Sequence, residues 1–183
     1  MIGKSQRKYA LFGIIGPSLA YLFIAVSILL SPWFSWESNA LSDLGHAVRS
    51  DAAPLYNFGL LIGGFFVMVY AVTAFSAHAK YSSYCLLIPA LFLHLVATFD
   101  EVYGFIHFLV SILLFVSFGF ASIVYAVEKK SILALSAFAI GFLTWTLYGA
   151  GVYIAGVAVP ETISSVAVTS WVVFSAVRIY QGK

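Results

Sequence analysis

Residues 103–127 have the sequence YGFIHFLVSILLFVSFGFASIVYAV, which contains no acidic residue, lysine or arginine. A helix needs about 20 apolar residues to cross a hydrocarbon core about 30 Å thick, and this stretch is long enough. Five further apolar runs of similar length flank it, at residues 9–30, 55–78, 81–99, 131–157 and 162–180. Because a helix satisfies its own backbone hydrogen bonds in lipid, the sequence predicts an all-α, polytopic integral membrane protein with six transmembrane helices.

The composition agrees with a chain that is mostly surrounded by lipid. Of 183 residues, 62% are hydrophobic and 9% are charged, and the mean hydropathy is +1.02. Soluble domains average about 45–50% apolar and about 25% charged residues. We therefore expect residues 1–183 to form one compact bundle, and the single cysteine, Cys85, excludes an intrachain disulfide. The first run exceeds the roughly 7–15 apolar residues of a signal peptide, so we interpret it as a retained span.

The basic residues predict the orientation. With the N-terminus inside, eight of the nine lysines and arginines lie on the cytoplasmic side and Arg49 lies outside, as the positive-inside bias requires. We therefore expect a multi-pass protein of the cell membrane with both termini cytoplasmic. The acidic residues are distributed the other way, since Glu128 is inside and six are outside: Glu37, Asp43, Asp51, Asp100, Glu101 and Glu161.

The first outer connection, residues 31–54, is much longer than the roughly 2–8 residues that usually join helices in a bundle. Its sequence is SPWFSWESNALSDLGHAVRSDAAP. Ser38 or Asn39 is suited to cap a short helix, and Gly45 is suited to end it in a left-handed conformation. We predict a re-entrant or surface helix that presents Asp43 and His46 near the membrane surface. The alternative interpretation is a purely structural lid.

A second polar segment joins the third and fourth runs. His94, on the same helical face as Glu101, lies about 10 Å deeper, so both cannot bind one ion on an intact helix. Across the turn, however, Asp100, Glu101 and His107 are predicted to converge. Such a set suits Zn, Mn or Mg, or general acid–base chemistry. The spacing matches no tight metal motif, so a structural polar turn is the alternative, as is a core role for His94 through a hydrogen bond to Thr144 or Tyr148.

These segments define the candidate site residues. The catalytic candidates are Asp43, His46, Asp100, Glu101 and His107, and the metal candidates are Asp100, Glu101 and His107. The predicted ligand-binding residues are Asn39, Asp43, His46, Asn57, His94, Glu101, His107 and Tyr148. Because all outer residues lie at one membrane level, we expect Asp43 or His46 to contact the second segment, near Asn57. A bound cation, Arg49 or shared protons would offset the repulsion between the carboxylates. Gly59 and Gly63 are predicted to form a packing seam instead.

Three stretches carry a family resemblance: residues 39–45 (NALSDLG), residues 56–64 (YNFGLLIGG), and residues 99–104 (FDEVYG) followed by His107. In order and spacing they resemble the archaeal and bacterial membrane proteins catalogued as domain of unknown function 998. That family often has proline where this chain has Asp100. The resemblance implies a compact six-helix fold and no established reaction. A more distant similarity to eukaryotic six-pass proteins of lipid-anchor remodelling and autophagy regulation is a fold-level analogy, from which function is not inherited.

Three functions remain open at this stage. The first is binding of a lipid or small ligand at the outward-facing acidic and histidine site. The second is a membrane-embedded lipid-modifying enzyme, metal-dependent if the metal candidates hold a divalent ion, although no Ser-His-Asp or phosphatase motif supports it. The third is a small-solute or proton-coupled transporter that uses His94 and Glu101, although the inner half offers few polar groups. The expected partner is membrane lipid and not nucleic acid, and the oligomeric state is left open.

Overall fold

The computed structural model describes residues 7–182. Within them, six long helices are each apolar and long enough to cross a membrane. A 3-10 turn, Lys8–Leu11, leads into the first helix, and a π-helical turn, Ala71–Phe75, extends the second as far as His78. The six helices are α1 (Phe12–Leu29), α2 (Ala53–Tyr70), α3 (Lys80–Thr98), α4 (Phe105–Lys129), α5 (Ile132–Gly149) and α6 (Ala158–Gln181).

Two boundaries differ from the predicted spans. Helix α5 ends at Gly149 rather than near residue 157, because Gly149 and Gly151 interrupt it and Gly151 has a positive φ of 66°. Helix α6 begins at Ala158 rather than near residue 162. Pro160 lies in its first turn, where a missing N–H costs no hydrogen bond. Glu161 is therefore part of a helix, and it is buried instead of lying in a solvated loop.

The bundle has two chemically distinct ends. The loop end contains the long connection between α1 and α2, the 3-10 turn Glu101–Tyr103, and residues 150–157. The long connection includes one short 3-10 helix, Leu41–Gly45, which we call the loop helix. The termini end contains Arg7, the α2–α3 junction, Lys130 and Gly182. All acidic residues except Glu128 lie at the loop end.

Helices α1 and α2 pack closely along glycines. A Cβ atom at Gly59 would lie 2.3 Å from the Cβ of Phe23, and one at Gly63 would lie 2.8 Å from the Cβ of Ala20. A Cβ at Gly16 would lie 2.8 Å from the carbonyl oxygen of Gly63. The predicted packing seam at Gly59 and Gly63 is confirmed, and it fixes α2 against α1 below the loop helix.

Two buried clusters hold the remaining helices. Near the termini end, Trp171 donates from its indole N–H to Ser122 over 2.9 Å, and the Tyr70 hydroxyl pairs with Ser175 at 2.8 Å. Near the loop end, Leu44 is fully buried beside Leu60 and neighbouring side chains of α3 and α4. These hydrogen bonds satisfy buried polar side chains between the helices near the termini end.

Candidate functional site

The loop helix is held by its own polar side chains. Asn39 donates from Nδ2 to Asp43 Oδ2 over 2.8 Å, and the same oxygen accepts the Ala40 N–H at 2.9 Å. The predicted short helix is therefore present, but Ala40 precedes it and the Asp43 carboxylate, not Ser38 or Asn39, supplies the cap. The side chains of Leu41 and Leu44, on the loop helix, are buried.

Gly45 ends the loop helix for a different reason from the predicted one. It is not among the glycines with positive φ. Instead, a Cβ atom here would lie 2.6 Å from Asn57 Oδ1 and 2.7 Å from Tyr56 Cδ1. The absence of a side chain lets α2 approach, and Asn57 Nδ2 donates to the Gly45 carbonyl over 2.9 Å. Asn57 is therefore a positioning contact for the loop helix.

Helix α6 also holds the loop helix. The Leu41 N–H donates to Glu161 Oε2 over 2.6 Å, and the Ala158 N–H donates to the Asn39 carbonyl over 2.9 Å. Glu161 belongs to the site, although the sequence alone predicts only that it is one of six outer acidic residues. The available signal was Pro160 followed by Glu161, a pair typical of the first turn of a helix.

Asp43 and Glu101 form a carboxyl pair, which we call the acid pair. Ser42 donates from Oγ to Glu101 Oε1 over 2.7 Å. Burial, together with the hydrogen bond to Asp43, raises the pKa of Glu101 to about 7. Burial alone would also raise the pKa of Asp43, but hydrogen bonds from Glu101, Asn39 and the Ala40 N–H outweigh it and lower that pKa. The opposite directions of the two pKa shifts indicate that Glu101 takes up a proton at a higher pH than Asp43 does.

His107 completes the acidic side of the site. Its Nδ1 lies 2.8 Å from the Phe99 carbonyl, so this nitrogen carries a hydrogen. Its Nε2 lies 3.3 Å from Ser111 Oγ and 3.9 Å from Glu101 Oε1. The expected contact between the first loop and the second segment is present, because Ser42 donates to Glu101 and Asp43 is hydrogen-bonded to the same carboxyl group.

Two of the three metal candidates, Glu101 and His107, lie next to each other. Asp100 Oδ1 instead accepts the Val102 N–H over 2.8 Å and thereby caps the turn Glu101–Tyr103. Within residues 7–182, no group of three or more histidine, cysteine or acidic side chains is arranged to hold a metal ion.

The other three candidates differ in their distance from the acid pair. His46 directly follows the loop helix, and its charge contributes to the lowered pKa of Asp43. His46 Nδ1 accepts the Val48 N–H at 3.3 Å. His94 is bonded to the Ala90 carbonyl at 2.8 Å and packs against Gly64, and the expected bond to Thr144 or Tyr148 is not formed. Tyr148 packs against the rings of Trp145 and Tyr153.

A cavity of about 110 Å³ lies between the helices, and we call it the central cavity. Every span except α5 contributes to its wall, which is mostly apolar. Leu41 and Ser42 of the loop helix line its loop end together with Glu161. Among the described residues, Glu161 Oε2 accepts the Leu41 N–H, whereas Oε1 has no hydrogen-bond donor. An apolar space thus leads to a hydroxyl group and a carboxyl oxygen that is free to accept.

With the fold and the site described, comparison with known proteins gives one match. A family model described as protein of unknown function (DUF998) matches residues 14–178. The chain belongs to this family. No curated protein and no solved structure matches it. The resemblance predicted from three stretches is confirmed, and in this DUF998 protein those stretches form the loop helix, the seam of α2 and the turn that carries Glu101.

Proposed function

We propose that this DUF998 protein binds a small amphiphile, with the apolar part in the central cavity and the polar end at Ser42 and Glu161. The observation that supports the proposal is the cavity itself, which is mostly apolar and has Ser42 and Glu161 at its loop end. Binding sites commonly combine an apolar wall with a few polar groups that orient the ligand.

The size of the cavity limits the apolar part. A cavity of about 150 Å³ in another protein stays dry and takes up benzene, and the central cavity has a volume of about 110 Å³. A short alkyl chain or one branched unit fits, whereas a whole acyl chain does not. A longer ligand has to leave the remainder of its chain in the bilayer.

The polar end of the ligand is a hydrogen-bond donor. When its carboxyl group is ionised, Glu161 Oε1 is only an acceptor, and Ser42 already donates its hydroxyl hydrogen to Glu101. A hydroxyl or amine group would therefore be bound, whereas a carboxylate or phosphate would meet like charge. With the basic residues facing the cytoplasm, this end of the site belongs to the outer leaflet of the cell membrane.

Photolabelling tests the proposal directly. The protein in lipid nanodiscs is irradiated with an octanol that carries a diazirine, and the adducts are mapped by mass spectrometry. We expect adducts on residues that line the central cavity, and we expect unlabelled octanol to compete with them. Leu114→Trp should abolish these adducts because Leu114 lines the cavity and the indole fills it.

The neighbouring residue supplies the control. Leu113 is 36% exposed and is not a lining residue, so Leu113→Trp should leave the adducts unchanged. Adducts that do not saturate and that lie on lipid-facing residues in all three proteins would contradict binding in the central cavity. Glu161→Gln keeps an acceptor for the Leu41 N–H, and it should weaken labelling by an alkylamine probe more than labelling by the alcohol.

A further inference from the structure

A second cavity, of about 560 Å³, lies at the termini end between the ends of α4 and α6 and the start of α5. We call it the basic cavity because Lys129, Lys130 and Arg178 line it, with His78 and Tyr125 beside them. The three basic side chains are exposed. Lys129 and Lys130 lie at the end of α4 and Arg178 lies on α6, so the fold brings together basic residues from two helices.

The positive charge of the basic cavity is not neutralised within the described chain. Glu128 is the single acidic residue at this end. Its carboxylate accepts the Ser82 N–H at 2.7 Å and the Tyr81 N–H at 3.2 Å, and it thereby caps the start of α3. Between residues 7 and 182, no lysine or arginine has a carboxylate oxygen within 4.0 Å. The cations therefore face one cavity without an anionic partner.

Backbone donors add to these charges. Ser131 precedes α5, and its Oγ accepts the Ala134 N–H at 3.2 Å, while the Leu135 N–H donates to the Ser131 carbonyl. The N–H groups of Ile132 and Leu133, in the first turn, remain available at the wall of the cavity. The start of a helix favours an anion, and here it lies beside three cations.

Exposed apolar side chains at the edge of the basic cavity indicate that the bound anion is part of a lipid. Ile132 is 81% exposed and Phe174 is 51% exposed, and both line the cavity. Such side chains suit contact with acyl chains. We propose that the basic cavity binds the phosphate group of an anionic lipid headgroup, with Lys129, Lys130 and Arg178 as its charged ligands.

Binding of short-chain phosphatidic acid to the purified protein in mixed micelles tests this site. Phosphatidylcholine serves as the zwitterionic comparison, and inorganic phosphate serves as the source without lipid. We expect phosphatidic acid to bind and phosphatidylcholine to bind much more weakly. Lys129→Gln combined with Arg178→Gln should weaken phosphatidic acid binding about 30-fold, because one basic residue near an anionic headgroup contributes about a factor of five.

The matched control removes the same charge from the same end. Lys8 and Lys80 are exposed and do not line the cavity, so Lys8→Gln combined with Lys80→Gln should retain wild-type affinity. Equal losses in the two double variants would overturn the site, as would equal binding of the two lipids by the wild type. Competition by millimolar inorganic phosphate would show that the phosphate group alone is sufficient for binding. It would overturn the proposal that the ligand is a lipid. Melting temperatures without lipid verify that each variant is folded.

Discussion

Glu101 is the residue whose environment departs most from that of a solvated acid outside the spans. Ser42 and Asp43 contact it from the loop helix, His107 faces it from α4, and Arg49 acts at longer range. Partial burial and Asp43 raise the pKa of Glu101, and they outweigh Ser42 and Arg49, which lower it. A group with a pKa near 7 beside one with a lowered pKa can hold and release a proton at neutral pH.

The proton on Glu101 makes stability depend on pH. The folded-state pKa, about 7, exceeds the ordinary value of 4.5, so between these values the folded protein binds more protons than the unfolded chain. Stability should therefore fall as pH rises from about 4.5 to 7 and then level off. Because the side chain is only half-buried and water screens it, we expect a loss of about 1–2 kcal/mol between pH 5 and 8. Thermal melting in detergent measures it.

Two variants isolate this effect. Glu101→Gln can still accept from Ser42 and donate to Asp43 but cannot ionise, so its melting temperature should vary less with pH. Glu37→Gln removes an exposed acid from the same loop and should keep the wild-type dependence. If Glu101→Gln follows the wild-type curve, titration of Glu101 does not cause the pH dependence.

The seam between α1 and α2 is the element whose spacing sets the geometry of the site. Its glycines let the two helices approach until side chains meet backbone. Since Tyr56 and Asn57 lie on the same helix and contact Gly45, a displacement of α2 would also displace the loop helix. The seam therefore acts on the site through α2.

Gly63→Ala should destabilise the protein by about 1–3 kcal/mol, because the new methyl group would meet Ala20 at 2.8 Å and the Gly16 carbonyl at 3.1 Å. Gly119→Ala is the comparison within a helix interior, since its Cβ would have no neighbour closer than 3.5 Å. There alanine should stabilise by roughly 0.5–1 kcal/mol through backbone entropy. Thermal or denaturant melting compares the two, and effects of the same sign would show that the seam is not tightly packed.

Hydropathy was sufficient to predict the helices but not all their ends. Residues 150–157 include Val152, Ile154 and Val157, which are as apolar as a span, and only the glycines among them indicate the break. The contact of Asp43 with Glu101 followed from their common membrane level. Glu161 was missed because its role depends on how the loop crosses α6. Asp100 caps the turn Glu101–Tyr103, and the sequence does not distinguish this role from metal binding because both use the carboxylate.

At the scale of the whole molecule, the distribution of lysine and arginine predicts an orientation in the membrane that can be tested. On a Cys85→Ser background, cysteines at Ser38 and Ile154 should react with an impermeant maleimide on intact cells, whereas a cysteine at Lys129 should not. Ile154 is 98% exposed and is a better probe of this end than buried Glu161. A permeant maleimide should label all three, and external labelling at position 129 without labelling at position 38 would reverse the orientation.

The hydrogen bond between the Leu41 N–H and Glu161 joins residues 120 positions apart. At a synthesis rate of about 5–20 residues per second, Leu41 leaves the ribosome on the order of ten seconds before its acceptor. Until α6 has been inserted, the loop helix lacks this partner and also the Ala158 N–H that binds Asn39. We therefore expect a stage of synthesis in which α1 to α5 are present and the loop end of the central cavity lacks the wall supplied by α6. Insertion of α6 then completes that wall.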